Sequence, residues 1–304
     1  MSIRASLLFE LSRRRLPAPA KRTVDYNAYQ DWRRQSLSAS WKQSFAQTRL
    51  ADMDVLDFGC GDGALSLYLA AGHAPRSVIG VDLDGAALSR AREAQAKDPK
   101  ASQVDVRFVQ GSIDGLPLND ESFDFVVAFD CLEHVMAPLP ILEEWHRVLR
   151  PGGRCLLEWF PYKGPWGPHM ESLIPVPWAH VLFGQKAMFR AAERIYELPE
   201  FVPRHWDLDE HGSKRPNKWR QWSSFKEQGY INELDIRTLR VLVKRAGLQV
   251  ERLETRSFGG AAIRRALGRS LMALPVVGEY FVSFTVIELV KPLRRLQIDD
   301  QRSR

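Results

Sequence analysis

The chain has 304 residues, 45% hydrophobic and 26% charged, with a formal net charge of +6. That is too apolar for a disordered chain, and no run approaches the ~20 uninterrupted apolar residues of a membrane span. Three cysteines, Cys60, Cys131 and Cys155, have no CxxC spacing and no paired histidine, so they read as reduced core thiols in a cytoplasmic protein, and no metal site is expected.

The length fits one α/β domain with an insertion or an appended segment. Charge is unevenly spread: residues 1–50 carry a net +7, residues 51–158 a net −9 and residues 159–304 a net +8. An acidic centre suits a cationic ligand, while basic flanks suit an anionic surface or substrate, or are simply solvated helix faces.

In chain order, Ile3 to Leu11 is broken by Arg4 and Glu10 and followed by Arg13-Arg14-Arg15, a poor signal peptide. A frayed basic tail is expected there, with a short amphipathic helix on a membrane surface as the alternative. Residues 17–24 read as a linker. Tyr26, Tyr29, Trp32, Leu37, Trp41 and Phe45 then recur at roughly helical spacing. Most of these aromatics are expected to pack on a sheet, with Tyr26 and Tyr29 reaching a cleft. Val55 to Phe58 is a short apolar run broken only by Asp57, which suits a buried parallel strand. Gly59, Gly61 and Gly63 follow at alternate positions, before a helix over about 64–71. A strand that turns at once into a helix needs positive φ, and a ligand lying on that turn needs missing side chains.

Two ligands fit such a loop. Gly59-x-Gly61-x-x-Ala64 satisfies a dinucleotide pattern, in which pyrophosphate sits on the helix N-terminus. Asp57 argues against it, because a carboxylate inside the strand repels pyrophosphate and attracts an ammonium or sulfonium group.

Here the chain resembles the class I S-adenosylmethionine-dependent methyltransferases, whose acid-x-Gly-x-Gly-x-Gly loop holds the methionine end of the cofactor. Three further blocks agree. Ser77–Asp82 is a second strand ending in an acid 19 residues after Gly63, and a carboxylate at Asp82 can accept both ribose hydroxyl protons. Asp84 N-caps the next helix, 85–96. A third strand, 104–109, leads to Gly111-Ser112-Ile113. The resemblance implies adenine contacts from Leu83, Ser112 and Ile113, although many relatives carry an acid where Ser112 stands. Leu116-Pro117 to Ser122-Phe123-Asp124 runs into a fourth strand, 123–129, and on to Asp130-Cys131-Leu132-Glu133-His134-Val135. This block and the Arg150-Pro151-Gly152-Gly153 turn after a helix over 140–149 resemble the small-molecule members of the family. Asp130 and Glu133 are expected to contact the cofactor's amino group or cap a helix, and neither is expected to be catalytic.

From Pro161 the composition turns aromatic and proline-rich. Four parts are therefore expected: an N-terminal tail and helices over 1–50, a cofactor-binding core over 51–160, an inserted lid over 161–231, and the rest of the core over 232–304. In the last part, a helix over 236–246, strands over 248–258 and 280–290, and a basic helix over 261–273 would complete a doubly wound, mostly parallel seven-stranded sheet.

His134, at the end of the fourth strand, and His169, on the insertion, are the candidate general bases, with Tyr162 as a weaker candidate for orienting the acceptor. The resemblance implies methyl transfer from S-adenosylmethionine to a small-molecule or glycan acceptor, with an oxygen nucleophile favoured. The alternatives are methylation of RNA, on the tryptophans and cations of residues 205–222, a nicotinamide-dependent dehydrogenase, and a non-catalytic cofactor-binding protein. The stretch around Trp178–Phe183 has basic flanks and suits peripheral contact with an anionic membrane and a lipid-linked acceptor. Oligomeric state is not legible.

Overall fold

The computed structural model describes residues 2–16, 26–112, 115–209, 211–257 and 262–293. The linker over 17–24 and the side chain of Tyr26 lie outside the described residues.

Five parallel strands carry the first half of the sheet: β1 (Asp54–Phe58), β2 (Ser77–Asp82), β3 (Asp105–Gln110), β4 (Phe123–Phe129) and β5 (Leu149–Trp159). With β6 (Gln249–Ser257) and β7 (Val282–Val290), the order is β3-β2-β1-β4-β5-β7-β6, and β7 runs antiparallel to both neighbours. This is the doubly wound, mostly parallel seven-stranded sheet expected from the sequence.

Strand alternation sorts the core onto two faces. In β1, Val55 joins a cluster with Leu37 and Trp41 of α2 (Tyr26–Ser44), Leu65 and Leu69 of α3 (Ala64–His73), and Leu88 and Ala91 of α4 (Gly85–Ala96). Leu56 faces the other way, onto Leu142 and Trp145 of α5 (Pro138–Val148) and Leu239 and Val243 of α9 (Ile236–Arg245). Asp57 follows the alternation of Val55 and so meets α3, where its carboxylate accepts the Ser66 hydroxyl.

Residues between β5 and α9 build a third core. Phe189, Ala192 and Ile195 of α7 (Gln185–Glu197) pack with Met170, Leu173 and Trp219, and with Phe225 at the start of the short α8 (Phe225–Gln228). Leu8 and Phe9 of α1 (Ile3–Arg13) belong to the same cluster. The N-terminal stretch is thus a helix docked on α7 rather than a frayed tail. Ser2 caps it, Ala5, Leu8 and Phe9 are buried, the Arg194 guanidinium lies 3.6 Å above the Phe9 ring, and Arg13 pairs with Glu200 at 3.2 Å. Each of the two basic helices nearest the sequence's extremes leaves apolar residues outside: Ile3 and Leu7 on α1, and Leu267 on α10 (Ala262–Met272).

Candidate active site

The turn from β1 to α3 is held against β2: the Gly59 and Cys60 N–H groups both donate to the Val81 carbonyl, at 2.8 and 3.0 Å. Gly59, Gly61 and Gly63 all have positive φ, at 74°, 51° and 76°. Their surroundings divide them by role. A Cβ on Gly59 would run into the Cys131 sulfur, and one on Gly63 would sit 2.7 Å from the Phe108 ring. A Cβ on Gly61 would meet nothing within 4 Å. Two glycines let the chain pack; the middle one keeps space clear beside the loop.

That space belongs to a cleft open to solvent, lined by Asp57, Gly59, Gly61, Asp62, Phe129 and, from α2, Tyr29, Gln30 and Arg33. Asp57 lies at its floor, only 2% exposed. Burial drives its pKa up to about 6, against the pull of the Ser66 hydroxyl and backbone. At the β2 tip, Asp82 accepts from Gly61 N–H at 2.8 Å and from Asp84 N–H at 2.9 Å. Each of its oxygens keeps a second lone pair for a ligand hydroxyl. Asp84 caps α4 as expected, accepting from Ala86 N–H.

Asp130 follows β4 at a positive φ of 50° and forms an ion pair with Arg33 of α2. The cleft wall therefore carries a guanidinium within reach of two carboxylates, Asp57 and Asp130. Arg33 and Gln30 were not singled out from the sequence. The aromatic periodicity placed α2 on the sheet, but a polar residue on such a helix shows no sign of what it faces. Gln30 donates to Asp62, which also pairs with Arg90 at 2.8 Å, so α2 is pinned across the loop.

Beyond Asp130 the chain makes a 3-10 turn, Leu132–His134. His134 and His169, both proposed as bases, lie together: their rings are 5.7 Å apart, edge to face. The His134 Nδ1 lies 3.0 Å from the Tyr230 carbonyl, which can only accept, so Nδ1 carries the proton. Glu133, which the sequence left without a catalytic role, lies beside them, 1% exposed, with one carboxylate oxygen 3.5 Å from His169 Nε2. Burial pushes the Glu133 carboxyl well up and the His169 imidazole down to about 4. Both Glu133 oxygens and His169 Nε2 are buried without a hydrogen-bond partner. Tyr162 is engaged elsewhere: its hydroxyl accepts from Gln185 at 3.0 Å and its ring packs on His180 and Phe225.

Among the adenine candidates, Leu83 stands 58% exposed beside Asp82. Ser112 is exposed and its hydroxyl donates to the Gly115 carbonyl at 3.3 Å. Ile113 lies outside the described residues. Asp82, Leu83, Ser112 and Asp130 flank the cleft described above rather than line it; Asp82 reaches it through Gly61 and Asp130 through Arg33.

Residues 56–157 match the model of the methyltransferase domain family. A probable S-adenosylmethionine-dependent methyltransferase of Mycolicibacterium smegmatis is 41% identical over 109 residues, 36% of this chain and 38% of that protein. An uncharacterized methyltransferase of a Mycobacterium species is 32% identical over 177 residues, 58% of this chain and 63% of that one. The mitochondrial ubiquinone biosynthesis O-methyltransferase of Candida albicans is 33% identical over 134 residues, 41% of this chain and 40% of that one. The chain thus spans between 38% and 63% of these curated relatives' lengths. A crystal structure of an S-adenosylmethionine-dependent methyltransferase from Methanosarcina mazei is similar over 80% of this chain and 93% of that one, with 20% identity and a TM-score of 0.49.

Proposed function

We propose that this chain, whose residues 56–157 form a class I S-adenosylmethionine-dependent methyltransferase domain, methylates an oxygen of a small-molecule or glycan acceptor. The observation that carries the reading is the bare face of Gly61, opening onto a cleft whose walls supply both signs of charge.

That donor set fits the cofactor. Arg33 matches the carboxylate of an amino acid, Asp57 and Asp130 match its ammonium group, and the two oxygens of Asp82 match vicinal ribose hydroxyls. Leu83 offers an apolar surface for the base next to Asp82. S-adenosylmethionine bound there supplies an electrophilic methyl group on a positively charged sulfur. The chain's own task is then to hold the acceptor oxygen in line, keep water out and receive or discharge a proton.

His134 and His169 stand at the carboxyl end of β4, where the doubly wound fold places its ligands. The tautomer set by the Tyr230 carbonyl leaves the His134 Nε2 lone pair available as a base. The segment after β5 contributes His169 and Tyr230, whose rings pack on His134, and so serves as the lid over the acceptor.

The cations of the lid favour a small acceptor over RNA. Lys218 pairs with Asp207 and Arg220 with Glu197, both at 2.8 Å, while Lys214 donates to the carbonyls of Tyr196 and Leu198. Trp219 is buried. These groups hold the lid together rather than face phosphates.

A lipid-linked acceptor is favoured by one surface. Val181 and Leu182, on the short α6 (Ala179–Leu182), are 47% and 62% exposed, and Val276 is 94% exposed. The Trp178 indole donates to the Tyr280 carbonyl at 2.6 Å, tying α6 to the segment that follows Val276. Among the described residues no helix is long and apolar enough to cross a membrane, so such contact would be peripheral.

The test is turnover with methyl-labelled cofactor against a panel of phenols, free and lipid-linked glycans, and RNA. Transfer of label to a hydroxyl oxygen supports the proposal. Cofactor binding with label moving only to RNA would overturn it.

A further inference from the structure

We infer that Glu133, His134 and His169 hold a divalent first-row transition-metal ion such as Zn²⁺. One donor atom from each of the three lies within 4.8 Å of the others. Two imidazoles and one carboxylate suit zinc, iron(II), cobalt or manganese better than magnesium or calcium, which prefer all-oxygen sites.

Four details favour a metal ion over an ordinary hydrogen-bonded cluster. First, the Glu133 carboxylate is 1% exposed and neither oxygen has a hydrogen bond. A buried carboxylate in that condition is strongly disfavoured unless something positive meets it. Second, Glu133 and His169 Nε2 face each other at 3.5 Å, too far for a good hydrogen bond. It is the spacing of two ligands that share an ion: donors about 2.1 Å from a tetrahedral centre stand about 3.4 Å apart. Third, the His134 Nδ1–H donates to the Tyr230 carbonyl at 3.0 Å, which orients the ring and leaves Nε2 unprotonated. Metal-bound histidines characteristically use their second nitrogen in this way. Fourth, the turn carrying Glu133 is clamped. The Asn232 amide donates to the Leu132 and Val135 carbonyls at 2.7 and 2.8 Å, and Asn232 N–H donates to the Glu133 carbonyl at 2.8 Å. The ligands therefore sit on a braced frame rather than a loose loop.

Three protein ligands leave the ion an open position, the arrangement of reactive rather than structural sites. The cluster follows directly on Asp130, whose partner Arg33 lines the cofactor cleft. An acceptor hydroxyl bound at the open position would be acidified and fixed in place. With the ion bound, the His134 Nε2 lone pair is engaged by it and no longer serves as the base, so the hydroxyl's proton would pass to solvent. Its oxygen would form the new bond to the methyl carbon, and the carbon–sulfur bond would break with its electron pair left on sulfur. That acceptor role rests on the methyl-transfer reading; the ion's binding does not.

The test is titration of chelator-treated protein with Co²⁺, followed by its visible d–d absorption, then by Zn²⁺ competition. One equivalent should saturate the wild type and Zn²⁺ should bleach the bands. Glu133→Gln and His169→Ala should bind Co²⁺ at least tenfold more weakly and lose the Zn²⁺-dependent rise in Tm, while keeping the metal-free wild type's cooperative melting and circular dichroism, which shows that they are folded. Saturable Co²⁺ binding in a wild type that ignores S-adenosylhomocysteine would uphold the ion and sink the methyl-transfer reading. Absence of a saturable spectrum, or variants that titrate like the wild type, would overturn the ion.

Discussion

Gly59 and Gly61 share a backbone conformation but not an environment, so the same substitution should fail in two different ways. Gly61→Ala places a Cβ at φ 51° with nothing within 4 Å. An L-residue in that region costs about 1–2 kcal/mol. At about 2–4 °C per kcal/mol for a chain of this size, Tm should fall by about 2–8 °C. The new methyl group would protrude into the cleft where the ligand is to lie. Calorimetric titration with S-adenosylhomocysteine should show at least tenfold weaker binding, the equivalent of about 1.4 kcal/mol. Gly59→Ala adds a clash with the buried Cys131 sulfur to the same backbone strain. Overpacking of this kind costs about 1–3 kcal/mol more, for a total of about 2–5 kcal/mol. Its first symptom should be lost stability. If Gly61→Ala binds the ligand as tightly as the wild type, the open space beside the loop is not where the ligand sits.

Asp57 should make cofactor affinity depend on pH. Its folded pKa of about 6 lies above the ordinary aspartate value, so the folded protein holds the proton while the unfolded chain has lost it. The contribution of this group to stability is therefore greatest at low pH and is lost, by about 3 kcal/mol, as pH rises from about 4 through 6. A cationic ligand needs the ionised form, so affinity should rise about tenfold per pH unit up to about 6 and then level off; Asp57→Asn should flatten that profile in calorimetry. Asp82→Ala removes two ribose acceptors and the partner of Gly61 N–H, so ligand binding should weaken by about 1.5–3 kcal/mol, and retained affinity would mean the sugar lies elsewhere. Arg33→Ala should weaken binding of the whole cofactor far more than binding of 5′-methylthioadenosine, which lacks the amino-acid end; equal losses would contradict the assigned role. Flotation with anionic vesicles at low salt should carry the protein upward, and Val181→Ser with Leu182→Ser should abolish that; no flotation of the wild type would exclude the peripheral surface.

Much of this site lay in short-range signals. A glycine-rich turn after a buried strand, and an acid at the tip of the next strand, are fixed by spacing along the chain, so β1, β2, Asp57 and Asp82 were legible. The doubly wound, mostly parallel seven-stranded sheet followed from the same blocks through the family resemblance they carry, but its strand order was seen only in the structure. Side chains brought in from afar were not legible. Periodicity in α2 shows which side is apolar but cannot say that Arg33 will meet Asp130, 97 residues later. Ile3 to Leu11 is broken by Arg4 and Glu10 and followed by three arginines, which does not look buried, yet Leu8 and Phe9 find α7. Glu133 and His134 adjoin in sequence, but His169 reaches them only through the path of the insertion, so the two histidines could be suspected singly and the Glu133–His134–His169 cluster could not.

The most direct measurement of the central claim is a side-by-side calorimetric titration of the purified wild-type chain with S-adenosylhomocysteine and with NAD⁺. Saturable one-to-one binding of the former and none of the latter is the predicted result. Tighter binding of NAD⁺, or indifference to S-adenosylhomocysteine at millimolar excess, would contradict the account.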